Sequence, residues 1–542
     1  MTTTSEYRWM RTLTVCLGAA AFVAVGFIQV KFGREFVGFI RPSAPSLGLA
    51  LATALVVIAL TRASAHSVID RICASLCRWG LCVKLAVAGG VFCSLLLVAR
   101  LVLDGFPNSG DEYAYVLQAM TYAQGRLWVQ APPLAEAFQL WHFLVKDGIW
   151  VSQYQPGWAM VLTPAIWLGL PLWVVNPLIG TTLLTAIFAL AREQVSRQAA
   201  WIAVIAVACS AFFILNAASY FSHVPTALWG VLFALFGLRY LQTGDAWSAA
   251  IAGVFVGLLG FTRAFNAVVF VVPFAAALLL TTNRRTGLVW LAVGGVPFLV
   301  ALFAFNKAVT GNALTMVAVW FGNEQPMPIG LPNADAIRLM VIRFDLLAVF
   351  TSPLLPLGYA FAFPYLWARG RLSFVDWIAG LTVLAFLLYP GSGGNQYGPR
   401  YYFEAFPFAV LTIAKALDGV LFVQNRGPSS VLVAWALLAH FAFQVGFLIP
   451  CLQLERDVVA QREDLFRKVE SRNLANAVVL VASGTGIIRP MSSGDLVRNG
   501  LLPGARSVIY ALDLGEKNQA LRILFPDRQF YRYKDGNLDL AN

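Results

Sequence analysis

Long apolar segments recur along this chain as far as Pro450, and they constrain its fold more than any other feature. Hydrophobic residues make up 59% of the sequence and charged residues 12%, about half the charged share of a soluble domain. A helix of about 20 apolar residues crosses the hydrocarbon core of a bilayer and satisfies its own backbone hydrogen bonds there. The pattern therefore predicts an α-helical polytopic membrane protein, and it argues against a cleaved signal followed by a soluble enzyme.

The hydropathy pattern predicts about 13 transmembrane helices. They cover residues 12–30, 46–61, 84–103, 172–191, 199–216, 221–240, 247–262, 264–282, 287–306, 345–368, 374–390, 402–423 and 430–449. One further apolar piece, Trp158–Leu170, would extend only about 20 Å as a helix, so we interpret it as re-entrant or interfacial.

Basic residues between the predicted helices indicate the orientation. They are Arg8 with Arg11, Arg62 to Lys84, Arg192 with Arg197, Arg284 with Arg285, Arg369 with Arg371, and Arg426. With an odd number of crossings they all fall on one side, which the positive-inside rule makes cytoplasmic. The net charge of +12 is thereby explained by membrane orientation, and we predict no nucleic-acid partner. We expect a multi-pass protein of the bacterial inner membrane, with loops 104–157, 307–344 and 391–401 on the extracytoplasmic face.

The composition changes sharply after Pro450. Residues 450–542 hold 13 basic and 11 acidic residues, and their apolar runs are short. The spacing of Leu454, Val458, Leu465 and Val469 predicts a helix leaving the membrane, with strands at 477–482 and 507–512 and a helix at 518–524. We therefore predict two domains: a transmembrane catalytic domain over 1–450 with the external loop 104–157, and a small extracytoplasmic α/β domain over 451–542.

Two adjacent carboxylates, Asp111 and Glu112, begin the first external loop immediately beyond a predicted span. One interpretation is structural, with Asp111 capping a helix and Glu112 in its first turn, where the helix dipole favours anions. The other is chemical, because a carboxylate within reach of an acceptor hydroxyl can act as a general base.

Further polar residues project toward the same face in the predicted topology. They are Tyr154, Gln155, His223, Arg263, Arg400 and Tyr401. Arginine binds phosphate through two parallel hydrogen bonds, so these cations favour a membrane-anchored substrate that carries phosphate. The alternatives are arginines that extend to lipid headgroups, a helix-end histidine, and an interfacial belt of aromatic side chains.

The order of these motifs resembles that of the GT-C glycosyltransferases over roughly residues 84–423. The resemblance is greatest to the branch containing protein O-mannosyltransferases and lipid A aminoarabinose transferases. It is carried by Gly110-Asp111-Glu112-Tyr113, Tyr154-Gln155-Pro156-Gly157, Gly260-Phe261-Thr262-Arg263 and Gly398-Pro399-Arg400-Tyr401-Tyr402.

The resemblance implies transfer of a sugar, with inversion, from a polyprenyl-phosphate donor to a glycan, lipid or protein acceptor at the outer face of the bilayer. Asp111 matches the catalytic carboxylate of the family, and Glu112 its companion, which helps to place the acceptor. We expect the substrate-binding residues to be Arg400, Arg263, Tyr401, His223, Tyr154 and Gln155.

Two other functions are compatible with the sequence. One is a polymerase or ligase of lipid-linked oligosaccharides, and the other is a transporter or flippase of lipids or solutes. The chain shows no duplicated halves with matching broken helices, which disfavours alternating access. No residue pattern indicates a cofactor. A divalent metal is compatible with the chemistry, but Cys73, Cys77 and Cys82 lack the paired spacing of a zinc site.

Overall fold

The computed structural model describes residues 44–61, 65–140, 142–322, 334–389, 394, 396–422, 428–482 and 496–541. Helices dominate the chain up to Ser471, and a sheet follows near the carboxyl terminus. The predicted first helix, 12–30, lies outside the described residues.

The helices, numbered in chain order, have the following bounds. They are α1 (Ala44–Thr61), α2 (Ala65–Arg78), α3 (Leu81–Leu101), α4 (Gly110–Ala123), α5 (Gly157–Trp167), α6 (Val175–Arg192), α7 (Arg197–Ala208), α8 (Ala211–Ala218), α9 (His223–Thr243), α10 (Ala246–Thr262), α11 (Ala264–Leu280), α12 (Gly287–Thr310), α13 (Val317–Phe321), α14 (Ala334–Phe350), α15 (Leu354–Ala368), α16 (Phe374–Leu387), α17 (Phe406–Leu421), α18 (Pro428–Arg462), α19 (Asp464–Ser471) and α20 (Asn518–Leu524).

Within the described residues, five helices are long and apolar enough to cross a membrane, and three bent pairs of helices raise that number to eight. The five cover Leu81–Leu101, Leu172–Arg192, His223–Thr243, Thr282–Thr310 and Ser430–Arg462. Leu81, Leu85, Leu97 and Leu101 on α3 are exposed, as expected for a helix whose surface faces lipid. A multi-pass helical membrane protein is thereby confirmed, and the number of 13 crossings stays a prediction.

Two of the predicted continuous helices are bent in the structure. The segment 199–216 is α7 and α8, which meet at 63° where Ser210 accepts a hydrogen bond from Phe213 N and starts a new helix. The segment 345–368 belongs to α14 and α15, which meet at 109° at Pro353, a residue that cannot continue the helical hydrogen bonds. Sequence hydropathy did not indicate either bend because both halves of each pair are apolar.

Close packing between α10 and α12 depends on glycine. A methyl group added at Gly294 would overlap the carbonyl oxygen of Ala250, and one at Gly253 would overlap that of Leu291. Small residues at such positions allow membrane helices to approach closely. This crossing fixes α10, whose last residue precedes Arg263.

The segment 104–157, predicted to be the first external loop, is structured. After α4 it forms a small antiparallel sheet of β1 (Val129–Gln130), β2 (Phe143–Lys146) and β3 (Ile149–Ser152), in the order β1-β3-β2. It then leads directly into α5, which packs against α4. The 11 residues of α5 are too few to span the bilayer, as expected for this apolar piece.

The carboxyl-terminal region forms a four-stranded sheet. Its strands are β4 (Ala477–Val481), β5 (Val508–Leu512), β6 (Gln529–Lys534) and β7 (Asn537–Leu540), in the order β5-β4-β6-β7. The central β4 runs parallel to β5 and β6, and β7 is antiparallel to β6. The predicted strands β4 and β5 and the helix α20 are confirmed. The predicted domain boundary at 450 falls inside α18, which continues to Arg462.

This sheet packs against the first external loop. Phe138 of the loop is buried with Val478, Ile509 and Phe530 of the sheet. A second apolar cluster joins Tyr113 and Leu117 of α4 to residues from α19 and the sheet. The carboxyl-terminal region therefore supports α4, the helix that carries Asp111 and Glu112.

Candidate active site

Helix α4 begins with a side-chain cap that sets the position of both carboxylates. Ser109 is the N-cap residue, and its hydroxyl accepts a hydrogen bond from Glu112 N at 3.3 Å. The structural interpretation of Asp111 as the cap is therefore wrong, because Ser109, two residues earlier, supplies the oxygen. Asp111 and Glu112 lie in the first turn, on different sides of the helix.

Glu112 is fully buried and binds backbone. Its Oε2 accepts from Asn108 N at 2.7 Å, and its Oε1 accepts from Tyr220 N at 2.8 Å. Burial raises the pKa of Glu112, although the two backbone N–H groups oppose this shift. With both oxygens occupied, Glu112 fixes α4 to the turn before α9, and this geometry argues against its direct contact with an acceptor.

Asp111 faces the partly open side of α4, with 21% of its side chain exposed. Its Oδ2 lies 2.9 Å from Arg400 Nη2, its Oδ1 accepts from the Tyr154 hydroxyl, and His142 Nε2 is 3.6 Å from Oδ1. Burial raises the pKa of Asp111, but Arg400, His142 and the Tyr154 hydroxyl lower it more, to about 2. The carboxylate is thus ionised and held by three side chains.

Arg400 is positioned by a tight turn and by an aromatic ring. Its N–H donates to Gly394 O at 2.7 Å and to Gly398 O at 2.9 Å, and Gly398 has a φ of +94°, which favours glycine. Its guanidinium carbon lies 3.6 Å from the ring centroid of Phe221. Among the described residues, no hydrogen-bond acceptor contacts the buried Nε of Arg400.

A second ionic group lies beside the first. Glu404 is fully buried, and its Oε1 is 2.9 Å from His223 Nδ1 and 3.6 Å from Arg263 Nε. Arg263 Nη1 also donates to Ser222 Oγ at 3.0 Å. Because α9 starts at His223 and α10 ends just before Arg263, two helix ends supply this group.

Aromatic residues connect the two groups. The Tyr115 hydroxyl lies 3.0 Å from Ser222 Oγ, and its ring centroid is 4.8 Å from that of Tyr154. Tyr401 stacks on Phe386 with ring centroids 4.9 Å apart. Burial raises the pKa of Tyr154 well above its ordinary value, and Asp111 raises it further, so its hydroxyl stays protonated and donates.

The side chain of Gln155 contacts protein atoms at the start of α11. Its Oε1 accepts from Ala264 N at 2.9 Å, at the start of α11, and its Nε2 is 3.9 Å from Met316 Sδ. Gln155 therefore joins the end of the external loop to α11. Its predicted contact with substrate stays a prediction.

The structure brings Asp111, Tyr154, Arg263, His223, Arg400 and Tyr401 together in one site. It also adds two residues that sequence reasoning did not select. His142 reaches Asp111 from the loop sheet, and the buried Arg343 lies with its guanidinium carbon 4.9 Å from the Tyr401 ring centroid. Neither residue belongs to a motif. The sequence predicts an external loop at Arg343, whereas the structure shows that this residue belongs to α14.

No described residues form a ready metal site. Within the part of the chain that the structure describes, no group of three or more histidine, cysteine, aspartate or glutamate side chains could hold a metal ion. The site instead pairs carboxylates with guanidinium groups, which suits recognition of an anionic substrate next to a proton acceptor.

Comparison with solved structures identifies a related fold. ArnT from Cupriavidus metallidurans in the apo state aligns with a TM-score of 0.52 and 15% identity, over 83% of this chain and 92% of its own. The same protein bound to undecaprenyl phosphate aligns with a TM-score of 0.51 and 15% identity, over 84% of this chain and 94% of its own. No protein-family model and no curated protein sequence matches the chain. The likeness to solved structures therefore shows a shared fold.

Proposed function

We propose that the chain is an integral-membrane glycosyltransferase of the GT-C type, because it shares the fold of ArnT and carries the motifs in the order expected for that family. It moves a sugar from a polyprenyl-phosphate donor to a hydroxyl acceptor on the extracytoplasmic face of the bacterial inner membrane, with inversion. The observation that carries the proposal is the 2.9 Å contact between Asp111 and Arg400. In this contact a carboxylate, which can act as a base, lies next to a guanidinium group, which can bind phosphate.

Asp111 acts as the general base in this reaction. The acceptor oxygen forms a bond to the anomeric carbon while the bond between that carbon and the phosphate oxygen breaks. The phosphate leaves with the bonding electron pair, and Asp111 takes the proton of the acceptor hydroxyl. One displacement inverts the anomeric centre. The donor carries its own leaving group, so a second carboxylate serving as general acid is not required, unlike in glycoside hydrolysis.

Arg400 and Arg263 bind the donor phosphate. Both guanidinium groups are largely buried and lie near Tyr401, with Arg263 6.0 Å from its ring centroid. Guanidinium groups keep their charge when partly desolvated, and they match phosphate geometry better than an ammonium group does. Glu404 and His223 both contact the guanidinium group of Arg263 and orient it.

The likeness to ArnT supports the class of donor. One ArnT structure was solved with undecaprenyl phosphate bound, and it aligns over most of this chain. Binding of a lipid phosphate by a protein of the same fold is consistent with a phosphate-binding role for the buried Arg263 and Arg400, which lie near the ends of apolar helices.

The proposal is tested by comparing cells with and without the gene. Mass spectrometry of cell-envelope glycans and glycolipids should reveal a product that loses one sugar without the gene, together with an accumulated polyprenyl-phosphate sugar. Restoring the gene should restore the product, and restoring it as Asp111→Asn should not. An unchanged set of glycans and glycolipids would contradict a glycosyltransferase, and full rescue by Asp111→Asn would contradict Asp111 as the base.

A further inference from the structure

Arg400 has a single carboxylate contact and unused capacity to donate hydrogen bonds. Its Nη2 donates to Asp111 Oδ2 at 2.9 Å, whereas its buried Nε contacts no acceptor among the described residues. A guanidinium group that binds phosphate bidentately uses either the two terminal nitrogens or Nε with Nη2. Nη2 takes part in both arrangements and carries two hydrogens, one of which Asp111 occupies. A bidentate phosphate therefore brings a second anion to the nitrogen that already holds the Asp111 carboxylate, and the two like charges repel each other.

Asp111 has other partners that would hold it without Arg400. Its Oδ1 accepts from the Tyr154 hydroxyl, and His142 Nε2 lies 3.6 Å from that oxygen. Ser109 and Glu112 independently fix the first turn of α4. The carboxylate can therefore stay in place when the bond to Arg400 is lost.

The ion pair makes Asp111 a weaker proton acceptor. A neighbouring guanidinium stabilises the ionised carboxylate and so reduces its affinity for a proton. A phosphate bound to Arg400 supplies a negative charge that offsets this effect. Through Arg400 Nη2, binding of the donor phosphate therefore increases the proton affinity of Asp111.

We infer that Asp111 and the donor phosphate compete for Arg400, so that donor binding breaks the ion pair and frees the base. This inference rests on the proposed function and adds an order of events to it. The donor binds first, and Asp111 becomes an effective proton acceptor only in the donor complex. Before donor binding, Arg400 holds the base in a weakly reactive pair.

The inference is tested by lipid binding to the purified full-length protein. Undecaprenyl phosphate is the probe, and undecaprenol, which lacks the phosphate, is the control lipid. Removal of the competing carboxylate in Asp111→Asn should tighten binding of undecaprenyl phosphate about tenfold, equivalent to about 1.4 kcal/mol. Binding of undecaprenol should not change.

Two further variants separate the inference from the proposed function. Tyr154→Phe removes another partner of Asp111 but leaves the competitor in place, so it should give no tightening. Adding Arg400→Gln to Asp111→Asn should abolish the gain. If Arg400→Gln weakens phosphate binding but Asp111→Asn does not tighten it, the competition is wrong and the donor site stands. If Arg400→Gln binds undecaprenyl phosphate as tightly as the wild type does, the proposed phosphate site is wrong and the competition fails with it.

Discussion

The contact of Arg400 with Phe221 explains how an arginine can be buried at this position. The guanidinium carbon lies 3.6 Å from the ring centroid, and only 8% of the side chain is exposed. An aromatic face attracts a cation more strongly when both are removed from water. Phe221 therefore stabilises the charge while leaving the hydrogen-bond donors in the guanidinium plane available to an anion.

Glu112→Gln should reduce stability more than it reduces the chemical step. An amide has one oxygen, so it cannot accept from both Asn108 N and Tyr220 N, and one buried N–H loses its partner. An unsatisfied buried group of this kind lowers the free energy of unfolding by about 1–3 kcal/mol. Thermal unfolding measures this loss. Glu136→Gln, at an exposed ion pair with Lys517, is the control and should change the free energy of unfolding by less than about 1 kcal/mol. A stable but inactive Glu112→Gln protein would instead assign Glu112 to the reaction.

The lowered pKa of Asp111, about 2, predicts the pH dependence of donor capture. A carboxyl group with a lowered pKa stays ionised as the pH falls, so the free enzyme keeps its base well below pH 5. The value of kcat/KM for the donor reports the free enzyme and should show no acid limb from Asp111 between about pH 7 and 5. His142→Gln is the control, since its imidazole lies 3.6 Å from the carboxylate. An acid limb in this range that persists in His142→Gln would contradict the assignment.

The charged residues of the site could be predicted from sequence because a rare charge stands at the end of an apolar segment. Asp111, Arg263 and Arg400 were found in this way. The roles of Glu112 and Gln155 could not be predicted, because each side chain accepts from a backbone N–H group that lies more than 100 residues away in the chain, Tyr220 N for Glu112 and Ala264 N for Gln155. Such contacts depend on the packed arrangement of helices and leave no local pattern.

At the scale of elements, three of the ionisable residues of the site lie at the ends of helices. The start of α9 supplies His223, the junction of α10 and α11 supplies Arg263, and the turn before α17 supplies Arg400. Helix positions therefore set the distances between these side chains. Hydropathy predicted most helix positions well, but it could not predict the bend at Pro353, since the sequence is apolar on both sides.

Gly294→Ala should disturb the crossing of α10 and α12 and, through it, the position of Arg263. The added methyl group would overlap the Ala250 carbonyl oxygen, and overpacking of this kind lowers the free energy of unfolding by about 1–3 kcal/mol. Gly90→Ala on α3 is the matched control, because its methyl group meets no atom within 4 Å. Thermal unfolding of both variants in the same detergent measures the difference. Equal unfolding temperatures would contradict this account of the crossing.

At the scale of the whole molecule, the external loop lies between the membrane helices and the carboxyl-terminal sheet. Phe138 is buried in the sheet, whereas α5 packs against α4 on the membrane side. The α/β character of the carboxyl-terminal region was predictable from its short apolar runs. Its packing against the loop could not be predicted, because the apolar residues that make this contact do not differ in type from the residues of an ordinary hydrophobic core.

The proposed sidedness predicts which positions react with a membrane-impermeant thiol reagent. In a protein whose native cysteines have been replaced, Lys517→Cys should be labelled from the extracytoplasmic side without permeabilisation. Its side chain is 65% exposed. Gln242→Cys, at the exposed carboxyl-terminal end of α9, should be labelled only after permeabilisation. The reverse pattern would place Asp111 in the cytoplasm and contradict the proposed orientation.

The central claim is that Asp111 is the general base of sugar transfer. Asp111→Asn nearly keeps the shape of the side chain and retains one oxygen, which can accept from the Tyr154 hydroxyl or from Arg400 but not from both, and it removes the negative charge and the basic group. The decisive measurement is single-turnover transfer by the purified variant and wild type, matched for unfolding temperature. The donor is the polyprenyl-phosphate sugar that accumulates in cells without the gene. General-base catalysis contributes about 10²–10⁴-fold, so the account predicts a loss of that size in the rate of transfer, with donor binding no weaker than in the wild type. Transfer by Asp111→Asn at nearly the wild-type rate would contradict it.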